Sequence, residues 1–302
     1  MTGFIDLQVN GYAGVDFNDE HVSDQQWLDV CARLTADGVD KILATVITAP
    51  IDRMIARIER IAIAMETFPE VARMVAGIHV EGPFISPVAG FVGAHPTAAV
   101  MPADVATADR LLDAGRGHVR LLTLAPECDA GARLVRHLSD QGIVVAGGHS
   151  DASLDQLQQA VDQGMSLYTH LGNGCPSQLN RHDNIIQRVI RLSDQMYVSL
   201  IADGHHVPNF ALANYLRCIP HDRVIIVTDA INAAGLGPGK YSLAGQRVEV
   251  DPDGAAWAEG RQHFAGCATP MQTMAEILRD QLGVGDELVD RWTRVNPGRL
   301  LG

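Results

Sequence analysis

The sequence predicts a (β/α)8 barrel of the TIM type, and three observations support this prediction. Eight short apolar runs have the pattern of strands, and helical patterns separate most of them. The chain of 302 residues has room for the roughly 250 that such a barrel needs. Polar side chains collect where the predicted strands end. A doubly wound open sheet is the alternative, but Gly11-Tyr12-Ala13-Gly14 matches its glycine-rich phosphate loop poorly.

Each predicted strand is a short apolar, often β-branched run that ends at glycine, proline or a polar residue. Ser23 and Gln26 have the spacing of a capping box, which predicts a helix through Leu34. Helices from about Pro270 and Glu287 would complete the barrel wall. The predicted strands are Phe4–Val9, Lys41–Val46, Val75–Val80, Val119–Leu124, Ile143–Gly147, Ser166–Thr169, Tyr197–Ala202 and Arg223–Thr228.

The last crossover contains an insertion. Tyr241–Val250, the turn Asp251-Pro252-Asp253-Gly254 and Ala255–Ala258 together predict a β-hairpin. We therefore expect a single barrel domain over residues 1–302, with a small hairpin at residues 239–260 between strand 8 and helix 8.

The amino-acid composition and net charge of the chain exclude some classes of binding partner. With 47% hydrophobic and 20% charged residues the chain is typical of a globular protein, and its net charge of −13 argues against nucleic acid or a membrane surface as partner. An anionic small substrate stays possible if a local cation opposes the net charge. Met1-Thr2-Gly3 leads directly into a strand, so we expect no signal peptide and a cytoplasmic location. No CxxC pair occurs, so the cysteines are expected to be reduced thiols: Cys31, Cys128, Cys175, Cys218 and Cys267.

Two histidines close one predicted strand–helix–strand unit, residues 143–170. His149 and His170 each follow a strand of this unit, and parallel strands end side by side. An imidazole pair at neighbouring strand ends is a ready metal site. The alternative is that each histidine only hydrogen-bonds a loop. A carboxylate at a third strand end, Glu81, favours the metal.

Glu81, His149 and His170 would give three protein ligands and an open fourth position, as in catalytic zinc sites. We expect one divalent ion per chain, Zn²⁺ first, with Fe²⁺, Co²⁺ and Mn²⁺ as alternatives. Asp229 follows the eighth strand and would move the proton of an activated water. It would otherwise cap a helix, but residues 230–237 lack a helical pattern. Gln8 and Asn10 stand where a two-metal site would place two histidines, which favours one ion.

The chain resembles the N-acetylglucosamine-6-phosphate deacetylase family of the amidohydrolase superfamily, whose members are metal-dependent barrel hydrolases. Family members also carry segments from both termini that build a β-sandwich, and we expect most of that sandwich to be absent from these 302 residues. The matching motifs run in order through almost the whole sequence: residues 4–11 (FIDLQVNG), 79–84 (HVEGPF), 93–95 (GAH), 148–152 (GHSDA), 169–171 (THL), 201–207 (IADGHHV), 227–230 (VTDA) and 296–302 (NPGRLLG).

The resemblance implies roles for particular residues. Glu81, His149 and His170 match the metal ligands, and Asp229 matches the general acid and base. Gln8 and Asn10 match the branch of the family that binds one metal. Four further residues match positions that contact the substrate: His95 (sugar), Asn173, Arg181 (phosphate) and His206.

The leading hypothesis is a deacetylase that cleaves the linear amide of N-acetylglucosamine 6-phosphate or a related amino sugar. A small-molecule substrate is the expected partner, and a homodimer is compatible with the resemblance. One alternative is the same mechanism on another amide, which the unusual loop at residues 172–184 favours. Another is a non-catalytic sugar-phosphate sensor, which the presence of Asp229 disfavours.

Overall fold

The computed structural model describes residues 3–261 and 263–302 and contains one parallel sheet of eight strands in chain order. The expectation drawn from Met1 and Thr2 lies outside the described residues. Every predicted barrel strand is present, with ends within two residues of the prediction. The strands are β1 Phe4–Val9, β2 Val39–Ile47, β3 Val75–Glu81, β4 Val119–Leu124, β5 Val144–Gly147, β6 Met165–Tyr168, β7 Tyr197–Leu200 and β8 Val224–Ile226.

The sheet closes on itself just past β8. Val9 forms a parallel bridge with Ala230, and the Asn10 N–H donates to the Ala230 carbonyl at 2.7 Å. Below this contact the buried Asp6 carboxyl group bonds to the Thr228 hydroxyl at 2.5 Å and accepts the Thr228 N–H at 3.1 Å. First and last strands are thus joined, and the predicted (β/α)8 barrel is confirmed.

Helices cover the outside of the barrel. The capping box predicted at Ser23 and Gln26 is confirmed at the start of the first helix, which buries Trp27, Val30 and Leu34 against the strands. None of the helices among residues 3–261 and 263–302 is long and apolar enough to cross a membrane. The helices are α1 Asp24–Ala36, α2 Ile51–Thr67, α3 Pro69–Met74, α4 Val105–Ala114, α5 Arg133–Asp140, α6 Leu154–Asp162, α7 Ile185–Arg191, α8 Asn209–Cys218, α9 Met271–Asp280, α10 Asp286–Asp290 and α11 Asn296–Leu301.

The insertion after β8 is a three-stranded antiparallel sheet: β9 Gly239–Leu243, β10 Gln246–Val250 and β11 Ala256–Ala258. The predicted hairpin corresponds to β10 and β11, but the prediction of one strand over Tyr241–Val250 was wrong. Ala244 and Gly245 interrupt it with φ of +50° and +86°, which makes a second tight turn.

The barrel interior beneath the rim is polar. His79, on β3, is fully enclosed; its Nε2 lies 2.7 Å from the Thr123 hydroxyl and its Nδ1 3.2 Å from the Leu7 carbonyl. Burial lowers the pKa of His79 to about 4, so the ring is neutral at pH 7. A neutral, hydrogen-bonded layer therefore supports the site above it.

Asp6 makes the stability of the fold pH-dependent. Burial raises its pKa from 3.8 to about 7 despite the bonds from Thr228 and Gln8. The folded state therefore keeps a proton that the unfolded chain loses above pH 4. As the pH rises from about 4 to 7, wild type should lose up to about 4 kcal/mol of unfolding free energy relative to Asp6→Asn. Urea denaturation across this range measures the difference, and parallel curves would contradict it.

Candidate active site

Three strands deliver a carboxylate and two imidazoles to one point. Glu81 is the last residue of β3, while His149 and His170 each follow the end of their strand by two residues. Oε1 of Glu81 lies 3.2 Å from Nε2 of His149 and 3.0 Å from Nε2 of His170. All three side chains are buried. The structure thus brings together the three residues that the sequence proposed as metal ligands.

The backbone is left-handed at three positions of the rim. The φ angles are +51° at His149, +31° at His170 and +53° at Asp229. A non-glycine residue in such a conformation costs about 1–3 kcal/mol and persists only where surrounding contacts impose it. At His170 that contact is the Ser199 hydroxyl, which accepts the His170 N–H at 2.8 Å. Such strain concentrates at functional sites.

The ring of His149 has a fixed orientation. Its Nδ1 lies 2.9 Å from the Phe91 carbonyl, an acceptor, so Nδ1 donates there and the ring turns Nε2 toward Glu81. Metal-binding histidines usually make this hydrogen bond with their other nitrogen. Two loops close over the ring: a Cβ on Gly93 would lie 3.0 Å from His149 Cε1, and one on Gly174 would lie 2.8 Å from Nδ1.

The electrostatics fit a bound cation. Burial alone would raise the pKa of Glu81, but the hydrogen bonds to His149 and His170 outweigh it and lower that pKa well below its usual value. Glu81 is therefore a buried carboxylate surrounded by nitrogen atoms. Within the described part of the chain, the Nδ1 atoms of His95 and His170 have no hydrogen-bond partner. Glu81, His149 and His170 could hold a divalent ion here.

His95, predicted as a sugar contact, lies at this cluster. It is buried, and its Nε2 is 3.2 Å from Nε2 of His149. The ligand atoms of Glu81, His95 and His149 all lie within 4.8 Å of one another. The sequence did not predict this placement, because His95 belongs to an irregular loop between β3 and α4.

Gln8 and Asn10 each hold a carboxylate. The Gln8 side chain donates to Glu81 Oε1 at 3.0 Å and accepts from the Thr169 hydroxyl at 2.7 Å. The Asn10 side chain donates to Asp229 Oδ1 at 2.7 Å. In these contacts both amides act as donors and position acidic side chains.

Asp229 is buried and fixed on both sides. Its carbonyl accepts the Cys267 N–H at 3.0 Å, while the next residue, Ala230, bonds to the end of β1. Burial raises the pKa of Asp229, and the charge of Glu81 adds to the rise. Residues 230–238, directly after Asp229, contain no helix, so a capping role is excluded. Asp229 is therefore a buried carboxyl group that holds its proton more firmly than a free aspartate does.

His206 is held by a carboxylate that the sequence analysis missed. Nδ1 of His206 lies 2.7 Å from Asp203 Oδ2, and Asp203 Oδ1 accepts the backbone N–H groups of His205 and His206 at 2.9 Å each. The Cys267 thiol donates to the same carboxylate at 3.3 Å. Burial would raise the pKa of Asp203, but the bond to His206 lowers it. An aspartate three residues before a histidine in the loop after β7 was the available signal.

Asn173 and Arg181 lie in the loop between β6 and α7, outside the buried cluster. Asn173 donates its backbone N–H and its side-chain amide to the His170 carbonyl, at 2.9 and 3.3 Å. Arg181 is exposed and has no ion-pair partner in residues 3–261 and 263–302. Its guanidinium is therefore free to meet a ligand or solvent.

Known proteins with similar sequences share one activity in their names. No protein-family model matches the chain. It is 31% identical to the N-acetylgalactosamine-6-phosphate deacetylase of Escherichia coli O157:H7, over 99% of this chain and 77% of that one. It is 34% identical to the human N-acetylglucosamine-6-phosphate deacetylase, over 99% of this chain and 74% of that one.

Solved structures agree with these matches. The N-acetyl-D-glucosamine-6-phosphate deacetylase of Mycobacterium smegmatis, solved in complex with N-acetyl-D-glucosamine-6-phosphate, superimposes with a TM-score of 0.90 at 28% identity, over 100% of this chain and 77% of that one. The enzyme of Pasteurella multocida gives a TM-score of 0.88 at 27% identity, over 100% and 76%.

The parallel eight-stranded barrel, and the acidic and imidazole side chains gathered on its rim, fit the amidohydrolase superfamily. The chain shares its fold with the solved deacetylases above and covers about three quarters of the length of each relative. It belongs to the N-acetylglucosamine-6-phosphate deacetylase family.

Proposed function

We propose that the chain hydrolyses the acetamide of an N-acetylhexosamine 6-phosphate, releasing acetate and the free amine. The convergence of Gln8, His149 and His170 on one oxygen of Glu81 carries this proposal, because that arrangement fits a metal-dependent hydrolase. The relatives named above for glucosamine and galactosamine substrates support the same chemistry on two epimeric sugars.

Glu81, His149 and His170 would bind one divalent ion, with Zn²⁺ favoured by two imidazoles and a carboxylate and Fe²⁺, Co²⁺ or Mn²⁺ as alternatives. Such an ion lowers the pKa of a bound water toward about 7 and polarises a carbonyl group. Gln8 and Asn10 support one ion over two, because amides stand where a two-metal site would place two histidines, and the Gln8 side-chain oxygen already accepts a bond from the Thr169 hydroxyl.

Asp229 would act as the general base and acid. It would accept a proton from the attacking water and pass it to the nitrogen of the departing amine. The bond from Asn10 holds its carboxylate, and its raised pKa suits a group that must both take and return a proton. His206 would contact the substrate through Nε2, since its Nδ1 faces Asp203.

Arg181 would bind the substrate phosphate. A protein with a net charge of −13 needs a local cation to attract a dianion, and an unpaired guanidinium can hold two phosphate oxygens at once. Asn173 and His95 would contact the sugar. The unusual loop at residues 172–184 and the exposure of Arg181 favour, as a second candidate, the same hydrolysis on an unphosphorylated amide.

The proposal includes a cytoplasmic location and a single barrel domain over residues 1–302, with a homodimer as a compatible assembly. All five cysteines are free, which supports a reducing compartment.

We expect purified protein to contain about one zinc ion per chain and to release acetate from N-acetylglucosamine 6-phosphate. His149→Ala should lose both metal and activity. Elemental analysis and an acetate assay measure the two outcomes, with the galactose epimer and both unphosphorylated sugars as further substrates. Full metal content and turnover in His149→Ala would place the site elsewhere. Acetate release from unphosphorylated sugars alone would favour the second candidate.

Asp229→Asn should keep its metal but lower kcat by at least about 100-fold, because the amide cannot accept the proton of water. Parallel measurement of metal content and kcat distinguishes the roles. Loss of metal would make Asp229 a ligand, and near-normal kcat would remove it from the mechanism.

Arg181→Ala should reduce kcat/KM for the phosphorylated sugar by about 1.5–3 kcal/mol, the scale of a charged hydrogen bond, and leave the unphosphorylated sugar unaffected. Arg191→Ala removes a second exposed guanidinium, at the end of α7, and serves as the control. Equal losses on both substrates would mean that Arg181 shapes the loop and does not bind phosphate.

A further inference from the structure

We propose that Asp203, His206 and Cys267 form a second metal site, which takes a thiophilic divalent ion such as Zn²⁺ or Cd²⁺ and inhibits the enzyme when it is occupied. One ligand atom from each side chain, a carboxylate oxygen, an imidazole nitrogen and a sulfur, lies within 4.8 Å of the other two. The site shares no residue with the metal ligands proposed above. Binding of the ion does not depend on the proposed function, whereas the inhibition rests on it.

The three ligand atoms are already close to the spacing that an ion requires. Asp203 Oδ2 lies 2.7 Å from His206 Nδ1 and 3.3 Å from Cys267 Sγ. Tetrahedral zinc, with bonds of roughly 2.0–2.3 Å to oxygen, nitrogen and sulfur, would place the oxygen about 3.4 Å from the nitrogen and about 3.6 Å from the sulfur. The side chains therefore need to separate by less than about 1 Å to admit the ion.

Backbone hydrogen bonds fix the carboxylate and the cysteine. Asp203 Oδ1 accepts two backbone N–H groups of its own loop at 2.9 Å each, which leaves Oδ2 directed at the other two ligands. The Cys267 N–H donates to the Asp229 carbonyl at 3.0 Å, and the Cys267 carbonyl accepts the Ile231 N–H at 2.9 Å. The cysteine thus extends the closed edge of the barrel. Ligands held in this way lose little conformational freedom when an ion binds.

Charge and hydrogen bonding at the cluster suit a soft divalent cation. The Thr269 N–H donates to Cys267 Sγ at 3.2 Å, a contact that stabilises a thiolate. Thiolate sulfur selects zinc and softer ions over magnesium or calcium. The Cys267 thiolate and the Asp203 carboxylate would together carry two negative charges at buried positions, and one divalent ion balances them.

Without an ion the cluster keeps its protons. Burial and the charge of Asp203 hold the pKa of the Cys267 thiol well above its usual value, so the sulfur stays protonated and donates to the carboxylate. An ion that binds the sulfur and His206 Nδ1 releases the thiol proton to solvent and leaves the imidazole proton on Nε2. The ion must therefore displace a proton from sulfur in order to bind.

Occupation of the site would change how His206 meets the substrate. In the proposed reaction Nδ1 faces Asp203 and Nε2 contacts the substrate. A metal at Nδ1 would fix the ring as a neutral imidazole with its proton on Nε2. The ring could then neither accept a hydrogen bond at Nε2 nor carry a positive charge. The free ring offers one of these two states to the substrate, so we expect the ion to inhibit.

Cadmium binding to the zinc-loaded enzyme tests the site, because Cd²⁺ is a softer analogue of Zn²⁺ and gives an ultraviolet sulfur-to-cadmium charge-transfer band only where a thiolate binds it. The metal ligands proposed above include no sulfur. We expect about one such ion per chain. Cys267→Ser and His206→Gln should each weaken this binding by at least about 100-fold, since loss of even an outer-sphere partner costs about 10–100-fold.

Two matched variants serve as controls. Cys218→Ser removes an exposed thiol, and His205→Ala removes the neighbouring imidazole, which bonds to the Asp253 carbonyl. Both should bind cadmium like wild type. A band that survives Cys267→Ser or disappears in Cys218→Ser would overturn the proposal. A band that survives His206→Gln would leave a single cysteine as the binding group and would overturn it as well.

Unmodified protein gives a second test that does not depend on how the variants fold. Cadmium NMR of the wild-type chain should show a resonance from an ion with a sulfur ligand, distinct from that of an ion bound by nitrogen and oxygen alone. Absence of such a resonance would contradict the site.

Acetate release tests the inhibition. Excess Zn²⁺ should lower kcat/KM of wild type by at least about tenfold, the scale of one hydrogen bond to a charged group, and should leave Cys267→Ser unaffected. Each protein is compared with its own rate at one zinc per chain. Cadmium binding without inhibition would remove the inhibitory role. The cadmium band in a protein that releases no acetate from any substrate would sink the proposed function and leave the second metal site standing.

Discussion

One carboxylate oxygen, Oε1 of Glu81, is the acceptor on which the rim depends. Side chains from three other parts of the barrel converge on it: Gln8 from β1, His149 after β5 and His170 after β6. A buried carboxylate is stable only when charge or hydrogen bonds compensate its lost solvation. The barrel supplies these contacts from elements that are far apart in sequence. The site therefore assembles only when the sheet has closed correctly.

The same requirement explains the polar amides at the end of β1 and directly after it. Gln8 and Asn10 alternate with apolar residues and face inward, where each donates one bond to an acidic side chain. Beneath them, Asp6 joins the first strand to Thr228 beyond the last. Residues 6–10 thereby contact the proposed metal-binding carboxylate Glu81, the proposed proton carrier Asp229, and the point where the first and last strands meet.

Sequence periodicity predicted the barrel and its strand-end residues because apolar runs stop where the chain leaves the sheet; Glu81, His149 and Asp229 are such positions. It could not place His95 or reveal Asp203, whose partners depend on the path of irregular loops. It also missed the turn at Ala244 and Gly245, because an alanine in a left-handed conformation leaves no compositional signal. Hydrophobic periodicity reports which residues lie in helices and strands, and it carries no information about contacts in irregular loops.

The positive φ angles at His149, His170 and Asp229 lower the stability of the fold at the positions that carry its functional side chains. Glycine adopts that conformation without steric cost, so truncation to glycine at these positions should leave a more stable chain than truncation to alanine, although both lack the functional side chain. The difference between the two truncations measures the backbone energy stored at each position. Random mutagenesis selected only for thermal stability would consequently tend to erase the rim that makes the barrel an enzyme.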